Sequence, residues 1–228
     1  MLFRSGRAIG SFYVLQVTGV FNSAAEVAAY TNQQGNPIQP NAKAGDFKYL
    51  DKNNDGQIDD NDRVFAGSYQ PVAYFGLNTS ANYKNWDFAI AFYGNAGNKV
   101  YNGKKAVRVE GKDNVERDVV YNRWTSENRS QTEPGANVGN LLASTYFVES
   151  GFFLRINNVT VGYTFPSETL SRLRISSLRV FATSQNPITY KKYSGFTPEL
   201  PGDPISSGIE LSAYPTTRTI AAGLSVGF

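Results

Sequence analysis

The sequence predicts an all-β protein whose antiparallel strands form part of a transmembrane β-barrel. Several segments alternate between large apolar and small or polar side chains, which is the period of a strand with one apolar and one polar face. Short and long connections between these segments also alternate, as they do in outer-membrane barrels. No stretch approaches the ~20 apolar residues that a membrane helix needs. A bilayer role therefore requires a barrel, because an open sheet would leave its edge amides unsatisfied in lipid.

Residues 216–228 show the clearest alternation. Ile220, Leu224 and Phe228 fall on one face, and small residues such as Gly223 fall on the other. Many bacterial outer-membrane barrels end on a strand of this kind with an aromatic residue at its end. Because any antiparallel sheet can end this way, the prediction depends on the rest of the chain.

A β-hairpin is predicted upstream, over residues 72–83 and 86–95. Both segments alternate, and Lys84-Asn85 is a two-residue connection between them. Tyr83 and Trp86 flank this turn, where the aromatic girdle of a barrel would lie.

Two more strands are predicted between two long loops. In residues 152–165 the apolar side chains change parity, which indicates a β-bulge near Asn157-Asn158. The complete set of predicted strands is residues 72–83, 86–95, 152–165, 177–186 and 216–228, with long loops at 96–151 and 187–215. Five strands cannot close a bilayer-spanning barrel, since the smallest single-chain barrels have about eight. The chain is therefore expected to be the last part of an incomplete barrel with long outer loops.

Residues 1–71 are expected to form an outer-loop region rather than barrel wall. Ser23 and Glu26 form a capping-box pattern that predicts a short helix. The start of the chain, residues 1–6, lacks the apolar core and small-residue cleavage site of a signal peptide. An exported barrel without a signal peptide is expected to be a fragment.

An acidic segment, residues 51–62, matches the twelve-residue calcium loop. Side-chain or main-chain oxygens recur at positions 1, 3, 5, 7, 9 and 12, which suits a hard cation such as Ca²⁺. These positions are Asp51, Asn53, Asp55, Gln57, Asp59 and Asp62. Gly56 permits the sharp turn at position 6, and aspartate replaces the usual glutamate at position 12. The alternative is a solvated turn rich in Asp and Asn that needs no metal.

Composition excludes several classes of function. The chain has no His, which removes Ser-His-Asp and Cys-His catalysis and imidazole metal sites. It has no Cys, which excludes disulfides. The formal net charge of +3 is too small to indicate nucleic-acid binding. We find no phosphate-binding loop or dinucleotide fingerprint, and we predict that the protein is not an enzyme.

Several motifs, in this order along the chain, resemble the C-terminal part of SusC/RagA-type TonB-dependent outer-membrane transporters of Bacteroidota. The matching stretches include Ile9-Gly-Ser-Phe-Tyr, Ala44-Gly-Asp-Phe-Lys-Tyr-Leu-Asp followed by the acidic loop, Tyr83-Lys-Asn-Trp-Asp-Phe, Arg123-Trp-Thr-Ser-Glu-Asn, Phe147-Val-Glu-Ser-Gly-Phe-Phe-Leu-Arg-Ile-Asn-Asn-Val-Thr-Val-Gly-Tyr and Tyr193-Ser-Gly-Phe-Thr-Pro-Glu. The resemblance runs from residue 9 to residue 228. It implies a barrel of 22 strands filled by a plug, of which this chain would supply the last five strands.

The resemblance also implies a function, a location and partners. It implies import of oligosaccharides, or of peptides in some members, across the outer membrane, in contact with its lipid. A SusD-like lipoprotein would serve as a lid, and energy would come from TonB through an N-terminal region that this chain lacks. Arg155 and Arg179 are expected to line the lumen or to anchor an interface.

Four loop aromatics are candidate ligand contacts, because an aromatic ring can stack on the face of a sugar. They are Trp124, Tyr193, Phe196 and Tyr214. The alternative is that they pack the loops together or onto the lid, which is the commoner role of buried loop aromatics.

A second function also fits the residues: a soluble, calcium-stiffened β-rich module for binding or adhesion. It would use the same strands around a protein core. The two functions differ in what covers the apolar face of the strands, which is lipid in the transporter and protein in the soluble module.

Overall fold

The computed structural model describes residues 6–109, 114–136, 138–139, 141–171, 175–200, 208–211 and 213–228. These residues divide into two compact units. The sheet unit comes from Pro71–Asn98, Ser150–Glu199 and Ala213–Phe228, and the loop unit from Met1–Gln70, Lys99–Glu149 and Leu200–Ser212. Within the described ranges, no helix is long and apolar enough to cross a membrane.

The regular structure of the described residues is mainly β-strand. In order, the strands are β1 (Ser11–Val14), β2 (Val17–Val20), β3 (Phe47–Tyr49), β4 (Val64–Ser68), β5 (Ala73–Tyr83), β6 (Trp86–Ala96), β7 (Lys99–Asn102), β8 (Val148–Ser150), β9 (Phe153–Thr164), β10 (Ser177–Lys191), β11 (Ile209–Glu210) and β12 (Thr219–Gly227). The helices are α1 (Ala24–Ala29), α2 (Gly103–Arg108), α3 (Arg117–Asn122) and α4 (Ser167–Leu170), with 3₁₀ turns at Asp60–Asp62 and Thr145–Phe147.

The sheet unit contains one five-stranded sheet in the order β12-β10-β9-β6-β5, and every neighbouring pair is antiparallel. Strands β5 and β6 pair from Ala73 with Ala96 to Tyr83 with Trp86, which leaves Lys84 and Asn85 as the turn. Lys84 has a φ of 53°, as a tight hairpin requires. Strands β5 and β12 form the two edges of the sheet.

A bulge at Asn157 places the apolar side chains on either side of it in β9 on the same face of the sheet, although their positions in the sequence differ in parity. Ala91 pairs with Asn158 and the next residue, Phe92, pairs with Ile156, so Asn157 has no partner on β6. The predicted bulge is confirmed. On the other side, Asn186 and Pro187 interrupt the ladder of β10. Because this irregularity breaks the alternation of β10, the predicted strand stops at residue 186, whereas β10 continues to Lys191.

Gly94 allows β6 to lie close to β9, and replacing it should disturb this pairing. A Cβ atom at Gly94 would lie 2.3 Å from the carbonyl oxygen of Phe153 and 2.8 Å from the ring of Phe75. A backbone atom cannot move aside without displacing its strand, so Gly94→Ala should cost about 2–3 kcal/mol in urea unfolding. Gly76→Ala on β5 is the matched control, because its Cβ would meet nothing closer than 3.4 Å. Equal losses for the two variants would contradict this explanation.

The loop unit has its own apolar core, although the sequence shows little periodicity there. Two small sheets pair β1 with β4 and β2 with β3, and a third has the order β11-β7-β8. One buried cluster joins β2, β3 and the segment between β1 and β2, and its members are Leu15, Val20, Phe47 and Tyr49. A second cluster joins Val109, Val119 and Phe147. Burial raises the pKa of the Tyr49 hydroxyl to about 12.

Helix α1 begins as its sequence predicts, with a variation in the capping box. The Oγ atom of Ser23 accepts a hydrogen bond of 3.1 Å from the backbone N–H of Glu26. The Glu26 carboxylate accepts a bond of 2.8 Å from the N–H of Asn22, one residue before the cap. The backbone N–H groups of Glu26 and Asn22 at the start of the helix are therefore both hydrogen-bonded.

The two units do not follow the predicted division of the chain into residues 1–71 and residues 72–228. Most of the predicted loop 96–151 belongs with the first seventy residues. The physical reason is that the core residues of the loop unit come from distant segments, so no single segment carries a periodic pattern.

Candidate functional site

The five-stranded sheet has one apolar face that runs without interruption across all its strands. We define the apolar face by rows of paired residues such as Leu77–Phe92–Ile156–Ile188 and Tyr83–Trp86–Tyr163–Val180–Leu224. Large side chains on this face remain exposed, among them Leu77, Trp86, Ile188 and Leu224. An exposed apolar patch that spans five strands marks a surface for a membrane or another protein.

Aromatic side chains lie at both ends of the apolar face. At the end of the β5–β6 turn, the rings of Trp86 and Tyr163 lie 4.9 Å apart, and those of Tyr163 and Phe165 lie 5.1 Å apart. At the other end, Phe152 contacts Phe75 at 6.4 Å and Tyr190 at 6.1 Å between ring centroids.

The spacing of the two aromatic bands fits a lipid bilayer. Phe75 and Tyr83 mark the bands on β5, and eight residue steps separate them. At about 3.4 Å per residue this is about 27 Å along the strand. A tilt of about 40° would reduce it to about 21 Å, close to the roughly 25 Å apolar band of membrane barrels.

The opposite face, which we call the polar face, carries small and hydrophilic side chains. Its rows include Asn78–Ala91–Asn158–Gln185–Thr219 and Ser80–Ala89–Thr160–Thr183–Ala221. Thr183 hydrogen-bonds Thr160 and Asn158 across the strands, each at 2.9 Å. A sheet with lipid on one side and a water-filled lumen on the other has this division.

An ion pair on the polar face crosses strand β9. Arg179 on β10 donates to both carboxylate oxygens of Asp87 on β6, at 2.8 and 2.5 Å. Gly162 lies beneath the pair, and a Cβ there would come within 2.5 Å of both partners. Glycine therefore opens the space in which the two charged side chains meet.

Arg155 forms the centre of a second polar cluster. Its side chain is only 4% exposed. It donates to Thr189 at 2.9 Å, to the Tyr93 hydroxyl at 2.7 Å and to Thr216 at 3.1 Å, and it forms an ion pair with Glu199. Tyr93 also donates to Glu199, at 2.5 Å. The cluster joins β6, β9 and β10 to the segments that contain Glu199 and Thr216.

Arg155 is predicted to line the lumen or to anchor an interface, but no sequence pattern indicates its partners. Leu154 and Ile156 on either side of Arg155 mark it as a charged residue within an apolar alternation. Such a residue needs a partner when it is buried. Glu199 is 44 positions away, in a segment without periodicity, and nothing in the sequence connects the two.

The four candidate aromatic contacts occupy different environments. Trp124 packs against the core of the loop unit and donates its indole N–H to Asn22 at 3.0 Å. Tyr193 is buried. Phe196 and Tyr214 are exposed, by 55% and 83% respectively. Of the four, Phe196 and Tyr214 therefore have the rings that a ligand can most easily reach.

The acidic loop folds into a closed turn. The Oδ2 atom of Asp51 accepts from the N–H of Gly56 at 2.8 Å, and Asp55 accepts from the N–H of Gln57 at 2.8 Å. Gly56 has a φ of 86°, which suits glycine at the sharp turn. The side-chain amide of Asn53 donates to the Oδ2 atom of Asp55 at 2.7 Å.

The far end of the loop is tied back to its beginning. The buried Asp62 carboxylate accepts from the N–H of Lys52 at 2.8 Å and from the N–H of Asp59 at 2.9 Å. Asp59 in turn caps the 3₁₀ turn that ends at Asp62. The six predicted ligand positions therefore belong to one compact loop.

These residues partly fit a metal ion. Among the described residues, no three His, Cys, Asp or Glu side chains group closely enough to hold a metal by themselves. Asn and main-chain oxygens would have to complete any coordination shell. In favour of a cation, the Oδ1 atom of Asp51 is buried and accepts no hydrogen bond.

The chain is similar to parts of much longer proteins. TonB-dependent receptor P3 of Formosa agariphila is 27% identical over 100% of this chain and 23% of the receptor. TonB-dependent receptor SusC of Bacteroides thetaiotaomicron is 29% identical over 98% of this chain and 20% of the receptor. The chain thus spans about a quarter or less of these curated relatives. No protein-family model matches it.

Solved structures show the same fold. The structure of the RagAB peptide transporter matches 96% of this chain and 23% of its own, with a TM-score of 0.68 and 20% identity. The RagAB peptide importer in its open-open state matches 100% of this chain and 24% of its own, with a TM-score of 0.67 and 18% identity. The predicted fold class, an incomplete antiparallel barrel, is confirmed.

Proposed function

We propose that this chain, a SusC/RagA-type segment of a TonB-dependent receptor, forms part of the wall of an outer-membrane nutrient importer. The two-faced sheet is the observation that carries this proposal. Its apolar face has aromatic bands at a bilayer-like spacing, and its opposite face is polar. The apolar face would meet lipid and the polar face would line the lumen.

The names of the relatives support a transport role rather than an enzymatic one. They are TonB-dependent receptors, and the structural matches are a peptide transporter and a peptide importer. Energy would then come from TonB. A region outside this chain would contact TonB, since the chain spans about a quarter or less of such receptors.

We also propose a partner and a substrate class for the importer. Resemblance to SusC supports a SusD-like lipoprotein lid and an oligosaccharide substrate, whereas the RagAB titles describe peptide transport. Phe196 and Tyr214 are exposed and could stack on a sugar ring. Comparing uptake of labelled oligosaccharides and labelled peptides by cells that carry the whole receptor would separate the two substrate classes.

Spin labels on neighbouring residues would test whether the apolar face meets lipid. Leu77 and Leu224 lie on the apolar face, and Asn78 and Ser225 lie next to them on the polar face. Each residue is replaced by cysteine and labelled in the whole receptor, reconstituted in vesicles after removal of any native cysteines. Labels at Leu77 and Leu224 should collide several-fold more often with oxygen than with a water-soluble nickel complex, because oxygen concentrates in hydrocarbon.

Labels at Asn78 and Ser225 are the matched controls and should show the reverse preference. If the labels at Leu77 and Leu224 collide freely with the nickel complex, the apolar face meets water and the importer proposal fails. If both reagents are excluded from these positions, the apolar face is covered by protein. That outcome would favour the soluble binding or adhesion module.

A further inference from the structure

Asp51 has a buried carboxylate oxygen that the fold leaves unpaired. The residue is 7% exposed, and its Oδ1 atom has no hydrogen-bond partner. A buried, unpaired oxygen of an ionised group is costly, so a donor or a cation is expected beside it.

The surroundings of Asp51 hold this carboxylate in place. Its backbone N–H donates to the Tyr30 hydroxyl at 3.3 Å, and Tyr30 donates to the carbonyl of Tyr49 at 2.6 Å. On the other side, Oδ2 accepts from Gly56 and thereby turns the carboxylate into the loop.

The charge near Asp51 favours a cation. A cavity of about 240 Å³ beside Asp51 has room for water. Because Asp51 is the one proposed ligand residue that lines this cavity, the charge and the unpaired oxygen indicate a cation and the cavity does not. Residues 51–63 hold five aspartates against one lysine and one arginine, a formal charge of −3. The arginine, Arg63, pairs at 2.7 Å with Asp60, which is not at a ligand position.

We propose that residues 51–62 bind one calcium ion, with Asp51 Oδ1 as the first ligand. The side-chain oxygens of Asn53 and Asp55 and the main-chain carbonyl of Gln57 would contribute further direct ligands, and Asp59, at position 9, would contribute through a water molecule. Asp62 closes the loop through its bonds to Lys52 and Asp59. An irregular shell of oxygens suits Ca²⁺ better than Mg²⁺, which demands near-ideal octahedral geometry. This proposal is independent of the transport function.

Terbium luminescence would test the site in the whole receptor. Tb³⁺ replaces Ca²⁺ at oxygen sites, and Tyr30, in contact with Asp51, can sensitise its emission. Emission excited through tyrosine should appear on addition of Tb³⁺. Ca²⁺ should displace the bound Tb³⁺ and abolish this emission. The Ca²⁺ concentration needed should be at least tenfold lower than the Mg²⁺ concentration that has the same effect.

Three variants test whether the emission comes from an ion bound by residues 51–62. Asp51→Asn keeps the shape of the side chain but removes its negative charge, and it should lower the affinity for Ca²⁺ at least tenfold. Asp55→Asn, at an exposed position, should lower the affinity by a similar factor without disturbing the core. Asp60→Asn is the matched control and should leave the affinity unchanged. No Ca²⁺-displaceable emission at millimolar Ca²⁺ would overturn the proposal, as would equal affinities in all three variants.

Discussion

Replacing Arg155 with alanine should destabilise the sheet unit by about 3–5 kcal/mol, the usual result of removing one partner from a buried ion pair. The guanidinium contacts Tyr93, Thr189, Glu199 and Thr216, and all four would lose a charged donor. Arg155→Lys should recover only part of the loss, because an ammonium group lacks the planar fork that reaches several acceptors at once. Urea unfolding in lipid vesicles would measure both variants.

The same substitution should free the segment around Glu199. Trypsin cleaves after lysine, and Lys191 and Lys192 lie just before this segment. Cleavage there should be at least several-fold faster in Arg155→Ala than in the parent protein. In a double-mutant cycle, the double variant Arg155→Ala/Glu199→Gln should lose less unfolding free energy than the sum of the losses in the two single variants, because both substitutions break the same interaction. Full additivity would show that the ion pair does not hold the segment.

Replacing Phe47 with alanine should cost the loop unit about 3–5 kcal/mol, the range for truncating a buried phenylalanine. Phe47 is 0% exposed, and its ring lies 4.7 Å from that of Tyr146 and 6.2 Å from that of Tyr49. Because Phe47 begins β3, which leads directly into Asp51, calcium affinity should fall as well. Trp124 packs against the same cluster, so the change in its fluorescence during urea unfolding would measure the loss of stability of the loop unit.

Phe65→Ala provides the comparison for Phe47. Phe65 is on β4 of the same unit but is substantially exposed, and its truncation should cost about 1 kcal/mol or less. Similar losses for Phe47 and Phe65 would mean that the Leu15–Val20–Phe47–Tyr49 cluster is not the core that stabilises the loop unit.

Local patterns made the sheet predictable. The hairpin at Lys84-Asn85 follows from two alternating segments with a two-residue gap, and the structure has that turn. The bulge at Asn157 follows from a change of parity, because only an extra residue returns Ile156 and Val159 to one face. Both features depend on residues close in sequence, where backbone geometry alone sets which way each side chain points.

The loop unit was not predictable in the same way. Leu15 comes from the segment between β1 and β2 and Phe47 from β3, and Tyr146 packs against them from nearly a hundred residues further along the chain. None of the three lies in a segment with a clear period. Trp124 illustrates the consequence: an aromatic residue in an irregular segment can face a ligand or a core, and here it packs against the core.

The sequence by itself determined the five strands of the large sheet, their two faces, the bulge and the spacing of the acidic loop, since each depends on a period or a spacing within one segment. Only the tertiary structure decided which distant residues meet. It joined Arg155 to Glu199, buried Tyr193 but left Tyr214 exposed, and left one oxygen of Asp51 buried without a partner. The physical reason is that burial and hydrogen bonding depend on what the rest of the chain places beside a residue, which no local pattern records.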